Sequence, residues 1–280
     1  MKRPVTYMYQ LKDDRSFQHI FDVTCSHGDT VYCEYMQDGV RKTETYRDLE
    51  KRSRDIACTL QQRLDGIPAG TFVGIHFDNC PEWPAVFWGI LMAGYNPILL
   101  DFRASKENLE YLLTQSGAGA IITDDAVIDN DILVIKRIDL MNNLAEPQAG
   151  WEPTWGQYLA YCTSGTTASS RIYVYDGAAV ASNIFRSGDT FEVSPYLMRE
   201  GDVRVLAFLP FYHIYGFVAI YCLYSVCGST FIYLPDRDPM SILATSRDFG
   251  VTHLASVPLM WNNIVKKVNM QLAEASSLKR

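Results

Sequence analysis

The chain has no block of like charge. Its 25 Lys and Arg and 32 Asp and Glu are dispersed, for a formal net charge of −7. With no dense Lys/Arg run, a general nucleic-acid-binding surface is excluded, although a local anion site for a nucleotide needs no basic protein. Paired cysteines are missing too. Cys25, Cys33, Cys58, Cys80, Cys162, Cys222 and Cys227 are scattered, odd in number and free of any CxxC. That spacing excludes a disulfide framework and a zinc ribbon, and reads as buried thiols of a protein in a reducing cytosol. The five histidines, His19, His27, His76, His213 and His253, form no pair at metal-ligand spacing, so no metal site is expected from these residues. Internal repeats and low-complexity tracts are absent. No signal peptide is expected at this start, because Met1-Lys2-Arg3-Pro4 leads into a polar segment.

One long uncharged run is present. Val205 to Leu234 is 30 residues without Lys, Arg, Asp or Glu, which is enough to span a bilayer by length. Pro210, Gly216 and Gly228 interrupt it, and it carries His213 and five tyrosines. That punctuation predicts a buried strand, a helix from Gly216 and a second strand, with no transmembrane segment.

Hydrophobic residues make up 48% of the 280 and charged residues 20%, so a sizeable core is available in one large or two smaller domains. A β/α alternation recurs. Thr71 to Phe77 reads as a strand, and Asn79-Cys80-Pro81 as the cap and first turn of an apolar helix over Glu82 to Ala93. Gly94 ends that helix before a short strand from Asn96 to Leu100. Ser105 caps the next helix, Gly117 stops it, and Ala120 to Thr123 is the following strand. Short strand–helix–strand connections of this kind imply a parallel sheet with right-handed crossovers. Upstream, Thr45-Tyr46-Arg47-Asp48 resembles a capping box. Downstream of a looser stretch (141–158), strands are expected at 159–163, 171–175, 203–209, 229–234 and 252–256. Helices are expected from 177, from Gly216 and from Asp238-Pro239. The fold class is α/β.

Tyr161 to Arg171 is the most informative stretch. Six Ser and Thr residues and a glycine lie between two expected strands, with an arginine closing the loop. A loop of small residues lets backbone N–H groups converge on an anion, hydroxyls add donors, and the cation neutralises charge. Composition alone leaves two readings open, a phosphate cradle and a solvated connector.

With its surroundings, Thr163 to Arg171 resembles the phosphate loop of the adenylate-forming (AMP-binding) superfamily: acyl-CoA and aryl-CoA synthetases, luciferases and peptide-synthetase adenylation domains. Further stretches match in order. Thr45-Tyr46-Arg47-Asp48-Leu49 is similar to the family's TYxEL helix start. Asn79-Cys80-Pro81-Glu82 through Gly89-Ile90-Leu91-Met92-Ala93-Gly94 resembles its N-x-P-E…GILKAG helix. Leu209-Pro210-Phe211-Tyr212-His213-Ile214-Tyr215-Gly216 resembles the LPxFHxxG motif of acyl- and aryl-CoA ligases. Val251-Thr252 with Ser256-Val257-Pro258 is similar to the T…VP strand and helix start. The likeness runs from about residue 15 to 280.

This resemblance implies an ATP-dependent carboxylate–CoA ligase. A carboxylate attacks the α-phosphate of ATP to give an acyl-adenylate and pyrophosphate, and a thiol such as CoA then displaces AMP. By position, Thr163, Ser164, Gly165, Thr166 and Thr167 would hold phosphate oxygens, with Arg171 in place of the family's lysine. His213 would be the catalytic-site histidine where acyl pocket and nucleotide meet; its alternative is a hydrogen-bonded core histidine. Tyr215 and Gly216 would line or open the acyl pocket; their alternative is core packing. ATP, Mg²⁺ and CoA are the implied cofactors, and a small carboxylate and a nucleotide the implied partners. The Mg²⁺ ligand would lie outside this chain.

The loop departs from the family's TSGTTGxPK at Ala168, where glycine is usual, and at Ser170, where proline is usual. An alanine at a left-handed position costs on the order of 1 kcal/mol, and loss of proline loosens the loop. The resemblance further implies a first α/β subdomain over 1–155 and a truncated second one over 156–280. The adenine strand, the YGxTE loop, the ribose aspartate and the C-terminal domain would be missing. On that expectation the chain is a fragment or one half of a split enzyme needing a complementing polypeptide, and is inactive alone. A non-catalytic scaffold that kept the fold is the alternative.

Overall fold

Helix starts are set by short polar side chains at the positions that the sequence marks. In this computed structural model, which describes residues 5–125, 128–129, 131–163, 170–194, 196–198 and 202–277, Thr45 and Asp48 form a reciprocal capping box. Ser105 accepts from the Asn108 N–H, and Asp238 from the Met240 N–H ahead of Pro239. Each satisfies backbone donors that the first helical turn leaves without partners.

In chain order the elements are α1 (Val5–Tyr9), α2 (Phe17–Cys25), β1 (Val31–Gln37), β2 (Val40–Thr45), α3 (Tyr46–Arg63), β3 (Phe72–His76), α4 (Trp83–Met92), β4 (Asn96–Leu99), α5 (Lys106–Ser116) and β5 (Ala118–Thr123). Then come β6 (Leu133–Lys136), α6 (Arg137–Asn142), β7 (Tyr158–Cys162), β8 (Ile172–Asp176), α7 (Gly177–Val193) and β9 (Arg204–Leu206). A π-helical run (Tyr215–Cys222) continues into α8 (Leu223–Val226), followed by β10 (Thr230–Ile232), α9 (Pro239–Asp248) and α10 (Pro258–Ser277). The fold is α/β, as expected.

Two sheets organise these elements. The larger runs β6-β5-β3-β4-β7-β8, parallel throughout except for the antiparallel β7–β8 pair. The smaller runs β2-β1-β10-β9, with only the β1–β2 hairpin antiparallel. The strands do not sort at residue 155, where the sequence places a subdomain boundary. β7 and β8 extend the sheet of the first half, and β1 and β2 complete the sheet of the second. The expected strand at 252–256 reduces to a single bridge between Val205 and His253.

Side chains alternate across the larger sheet, so each face meets a different helix layer. Val73, Ile75, Leu99, Ala120 and Ile122 share one core with α3 and α4. Ile98, Ile121 and Ala160 share the other with Leu109, Leu112 and Leu113 of α5. The α4 helix is buried along its whole length, as its all-round apolar sequence requires. Because α4 and α5 return on opposite faces, the C-terminal ends of β3 and β4 lie where the strand order switches direction.

An aromatic cluster fixes the π-helical run on α4. Phe217 meets Phe87 with ring centres 4.6 Å apart and Trp83 at 5.9 Å, and Trp88 Nε1 donates to Tyr221 Oη at 2.7 Å. Each such ring pair adds about 0.5–1.5 kcal/mol beyond area burial. Runs of π-helix are rare and concentrate at functional sites; here it takes the place of the α-helix expected from Gly216. No helix among the described residues is long and apolar enough to cross a membrane.

Candidate functional site

The hydroxyl-rich stretch joins β7 to β8, which pair antiparallel. Its base is closed by three contacts of adjacent backbone and hydroxyl groups. The Thr163 N–H donates to the Arg171 carbonyl at 3.0 Å, and the Arg171 N–H donates to Thr163 Oγ1 at 3.2 Å. Ser170 Oγ donates to Asn108 Oδ1 at 2.9 Å, tying the loop's last residue to the first turn of α5. Serine therefore supplies by a side-chain hydrogen bond some of the restraint that proline would supply by its ring. Ser164, Gly165, Thr166, Thr167 and Ala168 lie outside the described residues. Thr163 and the Arg171 side chain are exposed at the loop's base.

A cavity of about 340 Å³ lies beside that base, lined by Tyr161, Cys162, Thr163, Tyr173, Tyr175, His213 and Ile214. Tyr161 pairs with Tyr173 and Leu159 with Tyr175 across the hairpin, so the three tyrosines share one face of β7–β8. Thr163 and His213, far apart in sequence, meet in this cavity. Tyr215 does not line it; that side chain is 53% exposed and its neighbour Ile214 takes the lining position. Gly216 acts by its size. A Cβ built there would stand 2.1 Å from the Pro210 carbonyl oxygen, so the π-helix can start against that backbone only at glycine.

His213 is half-buried. Burial holds its imidazole below the ordinary value; the Asp101 charge opposes this and the Arg103 charge reinforces it. The ring is therefore neutral at pH 7 and can accept or donate one hydrogen bond. Tyr212 packs against it, with ring centres 4.5 Å apart, and the Tyr212 phenol accepts from Arg103 Nη2 at 2.7 Å. Burial and then the Asp101 charge push the Tyr212 phenol up to about 12. Burial also drives the Cys162 thiol up to about 12, so it is no nucleophile at neutral pH.

Asn79, read from sequence as a helix cap, does something else. The α4 helix begins at Trp83 without a side-chain cap. The Asn79 amide instead donates to the carbonyls of Ala207 at 3.0 Å and Leu209 at 2.8 Å, and accepts from the Phe211 N–H at 2.9 Å. Sequence reading missed this role, along with Arg103, Tyr212 and the tyrosines of the cavity. Only Tyr173 and Tyr175, spaced by two on a strand, left a signal.

A larger open hollow of about 380 Å³ is lined by Arg47, Glu50, Lys51, Arg54, Asp55, Glu146 and Pro147. Lys51 Nζ joins two of its carboxylates, 2.8 Å from Asp55 and 3.3 Å from Glu146, while Arg47 pairs outward with Asp29, so it reads as a solvated charged surface.

The fold is α/β, with a cavity beside the base of the segment joining β7 and β8. The family model for AMP-binding enzymes matches residues 23–280, and the chain belongs to that family. It is 27% identical over 252 residues to naringenin synthase of Pestalotiopsis fici, covering 79% of this chain and 9% of that protein. It is 22% identical over 281 residues to a long-chain-fatty-acid–CoA ligase of Bacillus subtilis, covering 85% of this chain and 50% of the ligase. Among solved structures, the Klebsiella oxytoca NpsA N-terminal subdomain in complex with 3-hydroxybenzoyl-AMSN superposes with a TM-score of 0.71 at 20% identity, over 85% of this chain and 59% of that one. O-succinylbenzoate coenzyme A synthetase (MenE) of Bacillus subtilis, in complex with AMP, gives 0.72 at 19% identity, over 89% and 63%. These likenesses show the fold; the chain spans about half the length of the curated CoA ligase it matches.

Proposed function

We propose that this chain carries the ATP-phosphate and carboxylate sites of an acid–thiol ligase, which forms an acyl-adenylate and then a CoA thioester. The observation that carries this reading is the cavity in which Thr163 of the hairpin loop meets His213. Arg171, paired with Thr163 at the base of the loop, would supply the positive charge that a polyphosphate needs, and Thr163 a hydroxyl donor. Neutral His213 can hydrogen-bond the carboxylate or the adenylate without adding charge beside the reacting oxygen. When bound, Mg²⁺ would neutralise phosphate charge, and CoA would bring the acceptor thiol. The buried cysteines suit the reducing cytosol expected from the sequence.

The cavity lies near the small end of the ~300–1,000 Å³ range of ligand pockets, and three of its walls are tyrosine rings. That lining supports a compact acid, aromatic or short-chain, over a long acyl chain. Solved relatives of the same fold hold 3-hydroxybenzoyl-AMSN and anthranilyl-AMSN, consistent with such a pocket.

The test is binding of magnesium pyrophosphate and of ATP to the 280-residue chain, followed by ³¹P NMR and calorimetry. Pyrophosphate and ATP should compete. Arg171→Ala should weaken both by roughly 10- to 100-fold, the worth of one charge-assisted hydrogen bond of about 1.5–3 kcal/mol. His213→Ala should weaken benzoate while sparing pyrophosphate. Equal binding by wild type and Arg171→Ala would refute the phosphate reading.

A further inference from the structure

Two turns, one after β3 and one after β4, reach across to the segment that carries His213. The turn after β3 contributes Asn79, whose amide uses both N–H donors and its oxygen on the backbone of Ala207, Leu209 and Phe211, at 3.0, 2.8 and 2.9 Å. The turn after β4 contributes Arg103. Asp101 holds it, its Oδ1 accepting from the Arg103 N–H at 2.9 Å and from Nε at 3.4 Å. Arg103 Nη2 then donates to Tyr212 Oη at 2.7 Å, and Phe102 braces the Tyr212 ring edge-on at 5.9 Å. Downstream the segment is pinned again, by the His213 N–H to the Pro210 carbonyl at 3.2 Å and the Phe217 N–H to the His213 carbonyl at 2.9 Å.

Segment 207–213, between β9 and the π-helix, therefore takes its shape from side chains on turns of a different sheet. Neither Asn79 nor Arg103 lines the cavity, so both act through other residues. We propose that Asn79 and Arg103 are positioning residues: together they set segment 207–213, and with it the His213 ring, against the β7–β8 hairpin. Three bonds from one amide fix the backbone, and the Arg103–Tyr212 bond fixes the ring on which His213 packs. Side chains that lock a reacting group in this way hold it to within a fraction of an ångström. The inference rests on the reading that His213 belongs to the functional site.

The experiment is an imidazole titration of the full 280-residue chain, with ¹³C-labelled histidine followed by NMR. The groups facing His213 are Asp101, Arg103 and Tyr212. In the wild type the His213 midpoint lies below the ordinary ~6.5. Asn79→Ala should move it up toward that value, because the ring loosens into water. Tyr212→Phe, which keeps charge and ring but removes the acceptor for Arg103, should move it in the same direction by less. His27, bonded to the Val226 carbonyl at 2.9 Å and held below the ordinary value by burial elsewhere in the fold, should keep its midpoint in all three proteins, which separates repositioning from a general loss of stability. If Asn79→Ala does not fold, Tyr212→Phe decides alone. A His213 midpoint identical to wild type in each folded variant overturns the proposal. Adding benzoate and pyrophosphate to the wild type tests the underlying reading separately. A His213 signal blind to both would refute His213 as a site residue, whereas a responsive signal with unmoved midpoints in the variants would refute only the positioning.

Discussion

Gly216→Ala sets two physical effects against each other with opposite signs. Residue 216 lies inside the π-helical run Tyr215–Cys222, and replacing glycine by alanine in a helix interior ordinarily stabilises by about 0.5–1 kcal/mol through backbone entropy. The structure opposes this. A Cβ at 216 would meet the Pro210 carbonyl oxygen at 2.1 Å, its carbon at 2.8 Å and the Leu209 oxygen at 3.1 Å. All three are backbone atoms of the segment that Asn79 holds, so no side chain can rotate away to make room. Overpacking a tight site costs about 1–3 kcal/mol and occasionally more. With backbone on every side we expect the upper end, a net loss of about 2–3 kcal/mol after the entropy gain. At 2–4 °C per kcal/mol, Tm should fall by roughly 5–10 °C, with the urea midpoint falling at constant slope. Gly117→Ala is the control, for its φ is 65° and nothing lies within 4 Å of its Cβ. It should cost about 1 kcal/mol, from the left-handed backbone alone. A Gly216→Ala protein as stable as wild type, or more stable, would refute the close approach and with it the described entry into the π-helix.

Two further outcomes can be measured on the same protein. Glu34 is 8% exposed and accepts from Arg41 Nη2 and Arg204 Nη2, while Arg204 also donates to the Phe249 carbonyl at 2.6 Å. Glu34→Ala would leave part-buried Arg204 with only the more exposed Asp202 carboxylate, 3.2 Å from its Nη1; since Arg41 can turn to solvent, the loss should be about 1–3 kcal/mol by chemical denaturation, and a loss under ~0.5 kcal/mol would refute the clamp. Stability should also fall on mild acidification. Burial, the largest cause in each case, holds His27, His76 and His213 below their ordinary value. The unfolded chain, protonating near ~6.5, thus binds more protons than the folded one from there down to the folded midpoints. Unfolding free energy should be flat above ~6.5 and decline below it, by at most ~1.4 kcal/mol per pH unit for each histidine. His76→Asn, which keeps a partner for Thr123 Oγ1, now 2.9 Å from His76 Nδ1, should flatten the decline by its share. An unchanged slope in that variant would remove His76 from the account.

What the sequence disclosed and what it hid divide along a physical line. Caps and stops were legible at Thr45, Ser105, Gly117 and Asp238, because each is decided by one or two neighbouring residues. The parallel β3–β4–β5 unit was legible from its apolar runs. The joining of β1 and β2 to β9 and β10 was not, because pairing between residues about 200 positions apart leaves no local periodicity. For the same reason a boundary near 155 looked natural on the sequence, although both sheets cross it. Asn79 shows the limit most sharply. An Asn-x-Pro pattern is a sound cap signal, yet this amide bonds residues 207–211, whose nearness only the finished fold creates. The site follows the same rule. Thr163 and Arg171 stood out as hydroxyl and cation within one loop, and His213 only through the likeness of its motif to the family's. Tyr173 and Tyr175 matter only through the cavity surface they share, and Arg103 only through Tyr212, so a pocket's reactive groups are read earlier than its walls. Its selectivity, which the walls set, becomes visible last.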